Sequence, residues 1–122
     1  MRYGITGSKG FLGSSLYFKL KNSKKPNFIF EFDPRYATIP DDLDIIFHLG
    51  YSSVIDYTKN NILSLENDIK SAEMIVSYCQ EHSCHLIFIS SSAVYLDILN
   101  KNNYAKSKVK IENLLLDSHN SK

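Results

Sequence analysis

Apolar and polar positions alternate along the chain in two registers: short apolar runs, and longer stretches where apolar residues recur at helical spacing. Arg2–Thr6 reads as a strand. Phe11–Lys21 reads as a helix, with Leu12, Leu16 and Leu20 on one side. Asn22–Asn27 is polar and contains Pro26, so it reads as a loop. Phe28–Phe32 (FIFEF) is aromatic and β-branched, which predicts a second strand. Pro34 and Pro40 bracket an irregular link to a third strand, Asp44–Leu49 (DIIFHL). From Ile62 to Glu81 a stripe of Ile62, Leu65, Ile69, Ala72, Val76 and Cys79 predicts a helix. His85–Ile89 (HLIFI) is a nearly continuous apolar run, the pattern of a central parallel strand. A last helix spans Asn103–Leu116. Strands separated by helices predict parallel βαβ units with helices on both faces, in one domain over residues 1–122.

The first turn changes the picture. The chain has five glycines, and three of them, Gly7, Gly10 and Gly13, stand three residues apart between the first strand and the first helix. Gly7 permits a tight turn, Gly10 lets backbone approach a phosphate, and Gly13 lets the helix pack close to the sheet. The helix start then offers free N–H groups and positive partial charge to an anion. Strand, spacing and helix together point to a dinucleotide loop in a Rossmann-type, doubly wound α/β sheet, with strand order 3-2-1-4. An acid at the end of the second strand would accept hydrogen bonds from the adenosine ribose. Asp33 stands there, with Glu31 as the other choice. An acid favours NAD over NADP. Arg35, two residues later, could accommodate a 2′-phosphate, and Asp33 could instead simply cap the Pro34 turn.

Charge and cysteine usage narrow the partners. Fourteen Lys plus Arg against thirteen Asp plus Glu leave +1, which argues against a broad nucleic-acid footprint. Lys19, Lys21, Lys24 and Lys25 read as cations at a helix end. No apolar run reaches membrane-helix length and no signal peptide is apparent, so a cytoplasmic location is expected. Cys79, His82, Cys84 and His85 match no zinc spacing; buried reduced thiols and no metal are expected.

A second cluster, Ser90-Ser91-Ser92 followed by Tyr104 and Lys108, carries acid–base chemistry. Tyr104 and Lys108, four apart, share a helix face. Bringing a tyrosine from a pKa of about 10 to about 7 takes about 4 kcal/mol, which an adjacent ammonium helps to supply. A serine at the carboxyl end of the fourth strand could hydrogen-bond a reacting oxygen. That end is expected at the switch between strands one and four, where such sheets bind ligands. Ser90 and Ser92 read as satisfying backbone groups at the strand end.

These stretches resemble the extended short-chain dehydrogenase/reductase family, the NAD-dependent epimerase/dehydratases of nucleotide sugars. ITGSKGFLG resembles the family's TGxxGFxG loop, IIFHLG its His-Leu-Ala strand, FISSSAVY its Ser-Ser-x-x-Val-Tyr strand, and YAKSK its Tyr-x-x-x-Lys; Asn67 resembles a helix asparagine. The resemblance implies NAD as cofactor and a nucleotide-sugar substrate. It implies Tyr104 as acid–base, Lys108 on the nicotinamide ribose, and Ser91 as the catalytic serine. Backbone at Phe11 and Leu12 would hold the pyrophosphate, Asp33 the adenine ribose, and Leu49, Gly50 and Tyr51 would line the cofactor. A dinucleotide-binding module without catalysis is the alternative.

The chain departs from the family in places. Gly50 and Tyr51 replace two alanines, and Leu96 stands where a glycine follows Val-Tyr. Twelve residues separate Ser91 from Tyr104, and ten separate Asp33 from Asp44. Family members are usually more than twice as long. The sugar-binding part is therefore expected to be missing, and the fourth strand is expected at a bare sheet edge, which could pair in a homodimer.

Overall fold

The computed structural model describes residues 1–25, 27–95 and 102–120. Pro26 and Leu96 lie outside them. The chain divides into two compact units, Met1–Tyr51 with Ser77–Ile89, and Ser52–Val76 with Ser90–Lys122.

The first unit is a four-stranded parallel sheet of β1 (Arg2–Thr6), β2 (Phe28–Glu31), β3 (Ile45–His48) and β4 (His85–Phe88), with α1 at Phe11–Lys21. The expected elements are all present, each strand after β1 a residue or two shorter. The order is β2-β1-β3-β4, not 3-2-1-4. Tyr3 pairs with Ile29 on one side and Ile45 on the other.

The reason lies in the link from β2 to β3. Residues 32–44 form no helix and are fastened to β1. The Asp44 amide donates to the Arg2 carbonyl at 2.8 Å, and the Arg2 amide donates to Asp44 Oδ2 at 2.7 Å. The Arg2 guanidinium donates to the carbonyls of Asp42 (3.0 Å) and Asp41 (3.2 Å). Tyr78 Oη accepts from the Leu43 amide and donates to the Pro40 carbonyl at 2.8 Å. The link thus delivers β3 to the free side of β1. Burial agrees: Gly4, Ile5 and Thr6 are buried in succession, as a central strand requires, whereas Phe28 and Glu31 are exposed. β4 is a terminal strand of this sheet, at the edge expected of it and not in the central place its apolar run suggests; none of its residues is fully buried.

In the second unit, α2 (Val54–Lys59) was not anticipated. Its signal is Ser53-x-x-Asp56, a capping box. Ser53 Oγ accepts from the Asp56 amide at 3.1 Å, and the Asp56 carboxylate accepts from the Ser53 amide at 2.7 Å. α3 spans Asn61–His82, its residues from Ser77 onward belonging to the first unit. Ile62 is exposed, and the buried positions of α3 include Ser64, Asp68 and Ser71 beside Ala72 and Ile75. The buried face therefore lies partly off the apolar stripe. A 3-10 turn covers Ser92–Tyr95. α4 runs Asn103–Asn120, capped by Asn102 Oδ1 accepting from the Ala105 amide at 2.9 Å. It extends beyond Leu116, with no Gly or Pro to stop it.

Candidate functional site

In the first unit the glycine loop opens directly from β1. Gly7 has φ 70°, which an L side chain rarely adopts. A methyl group on Gly13 would overlap the Gly7 carbonyl oxygen. The Gly10 amide donates to that same oxygen at 3.0 Å. Gly10 is the N-cap of α1 and supplies no side-chain cap, and no acid stands in the first turn. The amides of the first turn have no intrahelical acceptor, so Phe11 and Leu12 present donors and positive partial charge. Both side chains are exposed.

The sheet order decides what faces this loop. The chain turns to one side of β1 for β2 and to the other for β3, so the switch point lies between β1 and β3, not between β1 and β4. A Cβ on Gly7 would come within 2.6 Å of the Gly50 amide nitrogen, and one on Gly50 within 2.9 Å of the Gly7 nitrogen. Glycine at position 50, where the resembling family has alanine, is what this close approach requires. The Gly50 amide donates to Thr6 Oγ1 at 2.9 Å, and Thr6 Oγ1 lies 2.7 Å from His48 Nδ1. Thr6 and His48 are almost wholly buried, and together they pin the segment after β3 to the end of β1. Sequence reading missed Thr6. Leu49 and Tyr51 are half-buried, and the Tyr51 ring lies 6.2 Å from that of Phe88.

Asp33 lies beyond the end of β2. Its Oδ1 accepts from the Arg35 amide (3.0 Å) and from Arg35 Nε (3.0 Å), and its Oδ2 from Arg35 Nη2 (2.7 Å). Asp33 thus caps the turn at Pro34 while engaging Arg35, and the Arg35 guanidinium holds its carboxyl below the usual carboxylate range. The two residues considered for opposite cofactor preferences are one ion pair.

In the second unit the Lys108 ammonium lies 5.7 Å from the centre of the Tyr104 ring, as i, i+4 spacing on α4 predicts. Lys108 is 5% exposed, and burial pushes its pKa down to about 8, with the Asp68 charge acting in the opposite sense. The Tyr57 ring meets that of Tyr104 edge-on at 5.7 Å. Ser91 is half-buried ahead of the 3-10 turn, its carbonyl accepting from the Val94 amide at 3.2 Å, and that turn packs on α4. The Ser90 hydroxyl is buried with no hydrogen-bond partner among the described residues, so it does not satisfy backbone as expected. The side chain of Ser92 lies outside the described ones. Asn67 is half-buried on α3.

Sequence reading also missed Asp68, Tyr57 and Ser107. Tyr57 Oη donates to Asp68 Oδ2 at 2.6 Å and lies 3.0 Å from Ser107 Oγ. The available signal was an acid in register with buried Ser64 and Ala72 on α3. Elsewhere, Cys79 and Cys84 are buried thiols, and burial pushes Cys84 up. His82 stacks on Tyr78 at 4.2 Å, and Lys19 and Lys21 occupy the last turn of α1, as expected of helix-end cations. Among the described residues no helix is long and apolar enough to cross a membrane.

No known family's sequence profile matches this chain, and no curated protein does. Solved structures do. MoeE5 in complex with UDP-glucose and NAD is 20% identical, with a TM-score of 0.79 over 97% of this chain and 49% of its own. UDP-glucose 4-epimerase of Thermus thermophilus, complexed with NAD, is 20% identical with a TM-score of 0.78, over 99% of this chain and 51% of its own. dTDP-4-dehydrorhamnose reductase of Yersinia enterocolitica is 18% identical with a TM-score of 0.76, over 96% and 48%. The chain spans about half the length of each. At these identities the likeness is one of fold, and by fold the chain is a Rossmann-type α/β protein of the kind seen in these epimerase and reductase structures.

Proposed function

We propose that this chain is the cofactor-binding part of an NAD(P)-dependent oxidoreductase that acts on a nucleotide-linked sugar as an epimerase, dehydratase or reductase. The observation that carries the reading is the buried Lys108 ammonium beside the Tyr104 ring. Tyr104 would take a proton from a sugar hydroxyl and return one to a carbonyl, with the Lys108 ammonium beside its ring. Ser91 would donate a hydrogen bond to the same oxygen. In the first unit, the bare cradle of Gly7, Gly10 and Gly13 fits a pyrophosphate, with the Phe11 and Leu12 amides as donors. Asp33 would accept from the adenine ribose hydroxyls. Leu49, Gly50 and Tyr51 would line the cofactor, and Lys108 would bind the nicotinamide ribose. When bound, NAD supplies hydride acceptance and return.

The test has two steps. Titration with NADH, followed by nicotinamide fluorescence, should saturate, and Gly10→Phe should abolish it. No binding at millimolar NADH overturns the reading. Tyr104→Phe should then keep NADH binding and lose turnover of UDP- or dTDP-linked sugars; unchanged turnover removes Tyr104 from its role.

A further inference from the structure

Asp68 is 5% exposed, and its carboxylate accepts three hydrogen bonds. Oδ1 accepts from the Ser52 amide at 3.0 Å and from Ser52 Oγ at 2.9 Å, and Oδ2 accepts from Tyr57 Oη at 2.6 Å. Burying an ionised carboxylate is expensive unless hydrogen bonds and an opposite charge compensate it. The hydrogen bonds come from Ser52 and Tyr57. Lys108 of the same unit, itself 5% exposed, carries the opposite charge, and the Asp68 charge acts to raise its pKa.

The network continues onto α4. Tyr57 Oη lies 3.0 Å from Ser107 Oγ, and Ser107 Oγ lies 2.7 Å from the Tyr104 carbonyl. Two hydroxyl protons serve three contacts here. The carboxylate takes the tyrosine proton, being the charged acceptor at the shortest distance. The Ser107 proton is left for the Tyr104 carbonyl and the Tyr57 oxygen. Ser107 is wholly buried, so this part of α4 has little freedom to rotate.

We propose that Asp68 is a positioning residue: through Tyr57 and Ser107 it fixes the turn of α4 that carries Tyr104 and Lys108. A mid-helix acid on a buried face otherwise costs stability without return. The proposal deepens the reading of Tyr104 and Lys108 given above and rests on it for its catalytic meaning. Among the described residues, the groups that act on Lys108 include Asp68 from α3 and Tyr104 on its own helix, with Tyr57 of α2 against the Tyr104 ring; Tyr95 of the 3-10 turn is exposed.

The experiment needs neither substrate nor cofactor. In the full chain, the Lys108 side-chain resonance, assigned by its loss in Lys108→Met, is followed against pH. Asp68→Asn keeps the shape and removes the charge, and Lys108 should then titrate at least one pH unit lower. An unchanged midpoint overturns the proposal. Should Asp68→Asn fail to fold, Tyr57→Phe removes the hydroxyl that joins Asp68 to Ser107. Hydrogen exchange of the α4 amides around Ser107 should then quicken, and unchanged exchange there overturns the proposal equally. A loss of the Tyr104 assignment by the turnover test would leave these measurements intact, so the two failures are distinguishable.

Discussion

Lys108 and Tyr104, one turn apart on α4, meet with the ammonium 5.7 Å from the ring centre, and the lysine is buried. The arrangement carries a pH signature. The folded-state pKa of Lys108 is about 8, below its ordinary 10.5. Below pH 8 folded and unfolded chains both carry the charge, and folding bears the cost of burying it. Between about 8 and 10.5 the unfolded chain binds the extra proton, so stability rises with pH across that window. The rise is at most about 3 kcal/mol, less as far as solvent screens the group. Urea unfolding from pH 7.5 to 10.5 should show it in the parent chain and not in Lys108→Met.

Gly13→Ala should be severe. Its methyl would overlap the Gly7 carbonyl, which is backbone and cannot swing away. A loss of about 2–4 kcal/mol is expected in thermal or urea unfolding. Gly10→Ala is the control. A Cβ there meets only the Gly7 oxygen, at 3.3 Å, so it should cost under about 1 kcal/mol.

Thr6→Val should keep the packing of β1 and remove the acceptor of the Gly50 amide. An unsatisfied donor costs about 1–3 kcal/mol. Thr6→Ser, which retains the hydroxyl, should recover most of it. Equal unfolding midpoints for Thr6→Val and the parent would show that Thr6 does not hold Gly50.

Asp33 and Arg35 give opposite expectations for the cofactor, and their ion pair makes the balance measurable. Arg35→Ala removes the positive charge from beside Asp33. NADPH binding should then weaken relative to NADH by about tenfold, or about 1.4 kcal/mol. Asp33→Asn should shift the ratio the other way. Fluorescence titrations with both cofactors decide it.

Much of this was legible in the chain itself. β1, α1 and the glycine turn follow from local spacing, and α1 lies where that spacing predicts a helix. The Tyr104–Lys108 contact follows from i, i+4 geometry alone. What was illegible is what depends on distant partners. FIFEF and DIIFHL are both good strands, and neither says on which side of β1 it will lie; the Arg2–Asp44 and Tyr78–Leu43 hydrogen bonds decide that. Asp68 lies beside the apolar stripe of α3 on its buried face, and only its contacts with Ser52 and Tyr57 show why it is tolerated in the interior. Gly50 reads as a departure from a motif until its close approach to Gly7 is seen.

The sheet order has a kinetic consequence. Tyr3 pairs with both Ile29 and Ile45, and Ile45 pairs in turn with His85. Every pairing joins positions far apart in sequence, so chain ends must find one another before hydrogen bonds repay the search. On the ribosome, β1 emerges first and must wait for both flanking partners. Folding on the millisecond scale or slower is the expectation, with β1 the strand a chaperone would meet unpaired for longest.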